Sequence, residues 1–174
     1  MPRSLNATAA SLLGFLHEGP MTGWDLVAVA QQRIGDFWSL TQSQVYRELA
    51  TMAEDGLVEA GERGSRDKRP YAITPAGRSA FQQWVEQMPG DETIRFPLLL
   101  TLAFGRHLPT GRLTTMLEQH RLLHSERLRA YRLQLEEVEA MEDRYARATL
   151  DFGITYEEAV LEWFDRLPKD LSEQ

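Results

Sequence analysis

Residues 41–56 read TQSQVYRELATMAEDG, and this stretch decides the fold of the first half of the chain. Thr41 is a preferred N-cap residue, and Gln44 follows it at the spacing of a capping box. Gly56 then provides a helix stop signal. Three apolar side chains recur at helical spacing between these signals: Val45, Leu49 and Met52. The stretch therefore predicts a short helix that buries one face and exposes the other.

The exposed face of this predicted helix is polar and carries one positive charge. Ser43, Arg47 and Ala50 point outward, with Tyr46 on the flank. Gln42 and Gln44 lie in the first turn of the helix. Helices that read DNA contact base edges from their first turns, where Gln can pair with adenine and Arg with guanine or a phosphate. An ordinary solvated helix has a similar face. The position of this helix, directly before a basic hairpin, favours DNA contact.

The hairpin is predicted by two short β-prone runs, residues 57–60 and 71–73, around a glycine-containing tip. Residues 63–69 of the tip carry four cations against one acid: Arg63, Arg66, Lys68 and Arg69. Cations at a hairpin tip suit phosphate or minor-groove contacts, which fix the register and make affinity depend on salt. A charged tip is also often simply solvated, so it indicates DNA binding only together with the helix before it.

Two further helices are predicted upstream of residue 41. Residues 5–18 have apolar side chains at helical spacing. Thr22 and Asp25 have capping-box spacing, which predicts a second helix that ends near Gly35. The helix that begins at Thr41 is therefore the third.

A fourth helix is predicted after the hairpin, with Thr74 as its cap and Pro75 at its first position. Its apolar residues are Ala80, Phe81, Trp84, Val85 and Met88. The order of three helices, a two-stranded wing and a fourth helix predicts a winged helix-turn-helix. We expect this DNA-binding domain to span residues 1–90.

Residues 91–174 have a helical pattern throughout. We expect an apolar helix over 92–105 that is interrupted at Pro97, a long helix over about 112–147, and a last helix over about 155–167. The long helix has the three-four-three spacing of a pairing seam, and the last helix has one apolar face. Two copies are expected to pair through these positions: Leu128, Tyr131, Leu135, Val138, Val160, Trp163 and Leu167.

The net charge of −7 argues against a protein that coats nucleic acid indiscriminately, but not against a specific DNA-binding protein. Cys is absent, which excludes a disulfide framework and a zinc–cysteine cluster. No apolar run reaches the roughly 18 residues that a membrane span requires, and the N-terminus lacks the pattern of a signal peptide. A cytoplasmic protein without a membrane segment is expected.

Two features suggest sites other than DNA contacts. His120 and His124 stand four apart on a predicted helix and can reach one metal, but zinc needs further ligands. We expect an exposed or interfacial histidine pair and no metal site. Four aromatic residues can line an effector pocket between the domains, although such residues more often form a core or a dimer contact: Phe96, Phe104, Trp163 and Phe164.

No arrangement of residues indicates catalysis. The adjacent pairs at 136–137 and 157–158 are acidic, but neighbouring helical residues point about 100° apart and do not share a reacting atom. The sequence has no glycine-rich phosphate loop, nucleophile elbow or metalloprotease helix. We expect neither an enzyme nor a cofactor.

Short segments with a fixed order and spacing are spread over about half of the chain. They are LLGFL at 12–16, GPMTGWDL at 19–26, FWS at 37–39, VYREL at 45–49, EDGLV at 54–58 and RPYAITPAGR at 69–78. Together they resemble the PadR family of bacterial transcriptional regulators. The C-terminal half is similar to the subgroup with a larger helical dimerisation domain.

This resemblance implies a homodimer that usually represses by binding an inverted repeat near a promoter. It also implies release by a small aromatic effector in some members. Tyr46 corresponds to the family tyrosine that approaches the DNA backbone. Trp24 stands where many members have Tyr, and an indole N–H donates but does not accept a hydrogen bond.

The sequence thus predicts a mainly α protein with a small β-hairpin wing: an N-terminal winged helix-turn-helix and a C-terminal helical dimerisation domain. Its expected partners are double-stranded DNA, a second copy and a small-molecule effector. The alternatives are a winged-helix protein-interaction module that does not bind DNA and a small-molecule-binding protein. Salt-sensitive binding to promoter DNA distinguishes both alternatives from a regulator.

Overall fold

A computed structural model of the chain describes residues 5–35, 37–62, 64, 69–91, 94–140, 142–168 and 171. The chain divides into two compact units, residues 1–91 and 92–174. The elements of the first unit are α1 (Ala7–Leu16), β1 (Met21–Thr22), α2 (Gly23–Ile34), α3 (Gln42–Glu54), β2 (Val58–Ala60), β3 (Pro70–Ile73) and α4 (Pro75–Val85). Those of the second unit are α5 (Pro97–Ala103), a 3-10 turn (Gly105–His107), α6 (Arg112–Ala140) and α7 (Arg144–Asp165). The predicted mainly helical fold with a hairpin wing is confirmed.

The predicted helix caps of the first unit are confirmed. Thr22 and Asp25 form a capping box at α2, and Thr41 and Gln44 form one at α3. The Thr74 hydroxyl accepts from the backbone N–H of the third residue of α4 at 3.0 Å and donates to the Gly56 carbonyl at 2.8 Å. The cap of α4 is thereby tied to the end of α3.

One hydrophobic core holds α1, α2 and α3 together. Its completely covered side chains include Leu12, Leu13, Leu16, Leu26, Val45 and Leu49. Burial of each such side chain is worth about 1.5–3 kcal/mol. Because Val45, Leu49 and Met52 all point into this core, the opposite face of α3 faces solvent.

The sheet has three antiparallel strands in the order β1-β3-β2, not the two strands of the predicted wing. β2 and β3 pair with Val58 opposite Ile73, and β1 adds Met21 opposite Tyr71. A strand of two residues is too short to produce an alternating pattern, so β1 has no signature in the sequence. The fourth helix also ends earlier than expected, and Met88 lies beyond it with 91% of its surface exposed.

The helices of the second unit differ from the predicted ones at two places. Pro97 begins α5 instead of interrupting a longer helix, because proline is well suited to the first helical position. The predicted long helix ends earlier, with α6 at Ala140, and α7 runs without a break from Arg144 to Asp165, so the gap expected between residues 147 and 155 is absent. Glu142 has a left-handed φ of 53°, and the Asp143 side chain accepts from the N–H groups of Tyr145 and Ala146 as the cap of α7. Among the described residues, no helix combines the length and the apolarity that crossing a membrane requires.

A buried carboxylate joins α6 to α7. Glu157 of α7 is 1% exposed and lies 2.5 Å from Nδ1 of His124 and 3.1 Å from a guanidinium nitrogen of Arg127, both on α6. Burial and the neighbouring Glu157 raise the pKa of the Tyr156 hydroxyl above its ordinary value, and Arg127 opposes this effect. The two side chains that contact Glu157 lie three residues apart, on one face of α6.

Replacing Glu157 with Ala should lower the free energy of unfolding by about 1–3 kcal/mol, because the buried His124 loses its hydrogen-bond partner. Urea unfolding followed by far-UV circular dichroism measures the loss. Glu158→Ala is the matched control, since Glu158 pairs with Arg132 where both side chains are about half exposed, and such pairs contribute about 0–1 kcal/mol. Equal losses in the two variants would contradict the structural role of Glu157.

Candidate nucleic-acid interface

The exposed face of α3 consists of the residues that the helical spacing predicted. Gln42, Ser43 and Arg47 are exposed, and Val45 and Leu49 on the other side of the helix are completely buried. Ser43 and Arg47 are four residues apart and lie along one stripe. The first two turns of α3 therefore present hydroxyl, amide and guanidinium groups to solvent.

Gln44 has a different position from its predicted neighbours on that face. It is half-buried, and its side-chain oxygen accepts from both the backbone N–H and the hydroxyl of Thr41, at 2.9 Å each. A bidentate contact with adenine requires the oxygen and the nitrogen of the amide together. Since the oxygen of Gln44 is used in the helix cap, Gln42 is the better placed of the two for such a contact.

Tyr46 lies on the flank of the α3 face with 44% of its surface exposed. Its ring packs against the first residue of α2: a Cβ on Gly23 would lie 2.7 Å from the Tyr46 Cε1 atom. The next residue, Trp24, is 60% exposed. The beginning of α2 and the flank of α3 thus bring two large exposed aromatic residues into one region of the first unit.

Glu48 is a residue of α3 that the sequence analysis did not single out. It is 6% exposed and accepts a hydrogen bond from the Asn6 amide at 3.1 Å, while Asn6 also caps α1. This contact ties the start of α1 to the middle of α3. The spacing could have predicted this burial, because Glu48 follows the buried Val45 by three residues, and residues three apart lie on the same side of a helix.

The wing is described at its base. Arg69 is exposed, and its Nε donates to the carbonyl of Gly61 at 3.1 Å. The other predicted contacts of the tip, Arg63, Arg66 and Lys68, lie outside the described residues. Arg69 therefore connects the two ends of the segment that carries these cations.

The predicted pairing seam of α6 faces α7 of the same chain. Leu128 is 7% exposed, and Tyr131 packs on Gly153 of α7, where a Cβ would lie 2.9 Å from its ring. The remaining predicted dimer residues are half-buried: Leu135, Val138, Val160, Trp163 and Leu167. Leu128 and Tyr131 are thus covered within their own chain. The three-four-three spacing of α6 is therefore not by itself evidence for a contact between two copies.

The histidine pair is not the exposed or interfacial pair that the sequence suggested. His124 is 4% exposed and bonded to Glu157, whereas His120 is half-buried. Across the described ranges, no three His, Cys, Asp or Glu side chains are grouped so that they could hold a metal ion. In the sequence, Glu157 stands out only as half of an acidic pair, and its buried contacts with α6 were not predicted.

Three of the four aromatic residues considered for an effector pocket pack on one another within the second unit. The Phe96 ring lies 6.5 Å from that of Trp163, which lies 4.8 Å from that of Phe164. Phe96 also stacks on His124 at 5.8 Å. Phe104, in contrast, is 60% exposed. These contacts support the packing role for Phe96, Trp163 and Phe164.

Two family models match the chain, one for each unit. The Transcriptional regulator PadR-like family matches residues 12–83, and Virulence activator alpha C-term matches residues 94–172. The first match includes all of α3 and the hairpin. Together the models leave only short segments of the chain unmatched.

Two individual proteins that are similar to the chain are also named as transcriptional regulators. The negative transcriptional regulator PadR of Bacillus subtilis is 28% identical over 98 residues, about half the length of either chain (54% of each). The probable transcriptional regulator Rv1176c of Mycobacterium tuberculosis is 25% identical over 94% of this chain and 97% of that protein.

Solved structures share the fold. The PadR-like regulator BC1756 of Bacillus cereus has a TM-score of 0.82 at 20% identity, over 94% of this chain and 97% of that one. Bacillus subtilis PadR, at 21% identity, scores 0.78 in its complex with operator DNA (94% and 96% covered) and 0.74 in its complex with p-coumaric acid (97% and 100% covered). Members of this family are transcriptional regulators and not enzymes. The match over residues 12–83 places the first unit of the chain in the PadR-like family of transcriptional regulators.

Proposed function

We propose that this regulator is a homodimeric repressor that binds an inverted DNA repeat near a promoter through the exposed face of α3. The observation that carries the proposal is the two-sided character of α3, in which Val45 and Leu49 are completely buried while Gln42, Ser43 and Arg47 face solvent. A helix fixed in this way can enter a major groove without disturbing the core. Such a protein works where the bacterial chromosome is, so we place it in the cytoplasm.

Within this surface the residues have separate roles. Gln42, Ser43 and Arg47 read bases, because they are exposed in the first turns of α3. Tyr46 and the cations of the wing contact phosphates and set the register. Gln44 supports the surface by capping α3 instead of reading a base.

An exposed aromatic stripe on α7 supports pairing of two copies. Tyr145, Phe152 and Tyr156 are separated by seven and four residues, so they share one face of α7, and they are 70%, 66% and 37% exposed. The predicted contact residues Val160 and Trp163 continue this face at the same spacing. Large exposed aromatic patches are typical of contacts between proteins. We therefore assign the dimer contact to this α7 stripe rather than to the α6 seam.

Repression and effector release rest on the relatives. The Bacillus subtilis relative is named a negative regulator, and its structure has been solved with p-coumaric acid. The model for the second half is named after an activator, so the sign of regulation needs its own test. Expression of a reporter from the bound promoter should fall when this protein is present. Adding p-coumaric acid or a related phenolic acid should restore that expression. A reporter that is silent without the protein and expressed with it would show activation instead.

The unaltered protein should bind a fragment from upstream of its own gene in fluorescence anisotropy, resist scrambled competitor, and bind less tightly at higher salt. Arg47→Ala should weaken this binding by about 1–3 kcal/mol and relax the base preference at one position of each half-site. Arg78→Ala, which removes an exposed arginine on α4, is the matched control and should leave affinity nearly unchanged.

Failure of the unaltered protein to prefer any fragment in a genome-wide selection would contradict the proposal and favour a protein-interaction module. Equal losses in Arg47→Ala and Arg78→Ala would assign the effect to general charge instead of the α3 face.

Alanine substitutions at Arg66, Lys68 and Arg69 should weaken binding to all DNA sequences alike, because these cations are assigned to phosphates. The slope of log affinity against log salt should become shallower by about one for each cation that no longer pairs with a phosphate. Anisotropy at several salt concentrations, on operator and on scrambled DNA, measures both quantities. A changed base preference in these variants would instead assign base reading to the wing.

Introducing charge into the α7 stripe with Tyr145→Glu and Phe152→Glu should yield monomers in size-exclusion chromatography with light scattering, and DNA affinity should fall because a single half-site offers few contacts. The control is Leu122→Glu with Leu133→Glu, at two similarly exposed positions of α6 (60% and 58%). Monomers from the control pair and dimers from the α7 pair would move the contact to α6. A charge at the buried Leu128 would unfold the unit and is unsuitable for this test.

A further inference from the structure

Gly23 is the first residue of α2, and the local backbone does not explain why it is glycine. The described glycines with left-handed φ are Gly19, Gly56 and Gly111, and Gly23 is not among them. The helix starts with an ordinary capping box between Thr22 and Asp25. Any L residue fits such a backbone, and Ala favours a helix by about 1 kcal/mol over Gly within its interior.

The explanation lies in the packing of Tyr46. A Cβ on Gly23 would lie 2.7, 2.8 and 3.2 Å from Cε1, Cζ and Cδ1 of Tyr46, and these are its three nearest atoms. Separations below about 3.0 Å are not tolerated, so one of the two groups would have to move. The Tyr46 ring therefore occupies the space that the missing side chain of Gly23 leaves empty.

Tyr46 is nevertheless 44% exposed and lies beside Ser43 and Arg47. A surface side chain without lateral support samples several rotamers, and holding it in one rotamer on binding costs affinity. The start of α2 provides this support before any DNA is present. We infer that Gly23 is a positioning residue: by having no side chain, it holds the Tyr46 ring against α2 and fixes the direction from which Tyr46 meets the DNA backbone. The inference rests on the proposed function.

Gly23→Ala should displace the ring and lower affinity for the operator about tenfold, the loss expected for one hydrogen bond to a charged phosphate. The melting temperature should change little, because an exposed ring can move without opening the core. Gly90→Ala is the matched control: a Cβ there meets nothing within 4 Å, and affinity should remain unchanged.

A double-mutant cycle identifies Tyr46 as the route of the effect. Tyr46→Ala should also lose about tenfold, and adding Gly23→Ala to it should cause no further loss, since no ring remains to be displaced. A full additional tenfold loss in the double variant would overturn the inference, because Gly23 would then act on DNA binding by another route.

The position of the ring can be measured without DNA. The chain has five Tyr residues, and in protein labelled with 3-fluorotyrosine the Tyr46 resonance is the one that Tyr46→Phe removes. This fluorine resonance should shift in Gly23→Ala and not in Gly90→Ala. An unshifted resonance overturns the inference, as does a shifted resonance with unchanged operator affinity. If the unaltered protein binds no operator, the proposed function fails, and the role of Gly23 in DNA binding fails with it. The fluorine shift still decides whether Gly23 determines the position of the Tyr46 ring.

Discussion

The packing of Val45, Leu49 and Met52 against α1 and α2 is the contact on which the proposed DNA surface depends. These side chains are covered almost completely, so α3 cannot rotate about its axis without exposing them. Their burial fixes which residues face outward, and the capping box at Thr41 fixes where the helix begins. A small core and one cap thereby determine the orientation of every side chain that we assign to base reading.

In the second unit, a buried charged side chain contributes to the packing of the two long helices. Where α6 meets α7, a carboxylate at Glu157 replaces the apolar residue that the pattern of α7 would lead one to expect. Sliding one helix by a single turn, about 5.4 Å, would separate Glu157 from both His124 and Arg127. Apolar contacts tolerate such a slide better than a buried ion pair does. The Glu157 carboxylate thus adds to the packing of Tyr131 on Gly153 in fixing the register of the two helices.

The sequence was sufficient wherever a local signal decided the structure. Thr22, Thr41 and Thr74 mark helix starts through their own hydrogen bonds, and their predictions are confirmed. It was insufficient where the deciding partner is distant in sequence. The strand at Met21 exists only because Tyr71 pairs with it, and the cap at Asp143 lies within a run of charged residues that also suits a continuing helix.

The candidate site was predictable to a similar degree. Helical spacing placed Ser43 and Arg47 outward, because a single helix contains that information. It did not reveal that Gln44 is committed to a cap, that Gly23 makes room for Tyr46, or that Leu128 and Tyr131 have partners within the chain. Each of these depends on which surfaces meet in three dimensions, and a heptad pattern is the same whether its partner helix belongs to the same chain or to another.

The closed base of the wing has a consequence for how such regulators diversify. The Gly61 N–H donates to the Pro70 carbonyl at 2.8 Å, and Arg69 donates back to the Gly61 carbonyl. The strands are therefore fastened on either side of residues 62–68, and the buried core side chains that the structure describes come from α1, α2, α3 and β2. Lengthening, shortening or recharging residues 62–68 costs little beyond a small loop-closure entropy. With the phosphate contacts that we propose for this tip, insertions there would change DNA affinity while the scaffold remains unchanged.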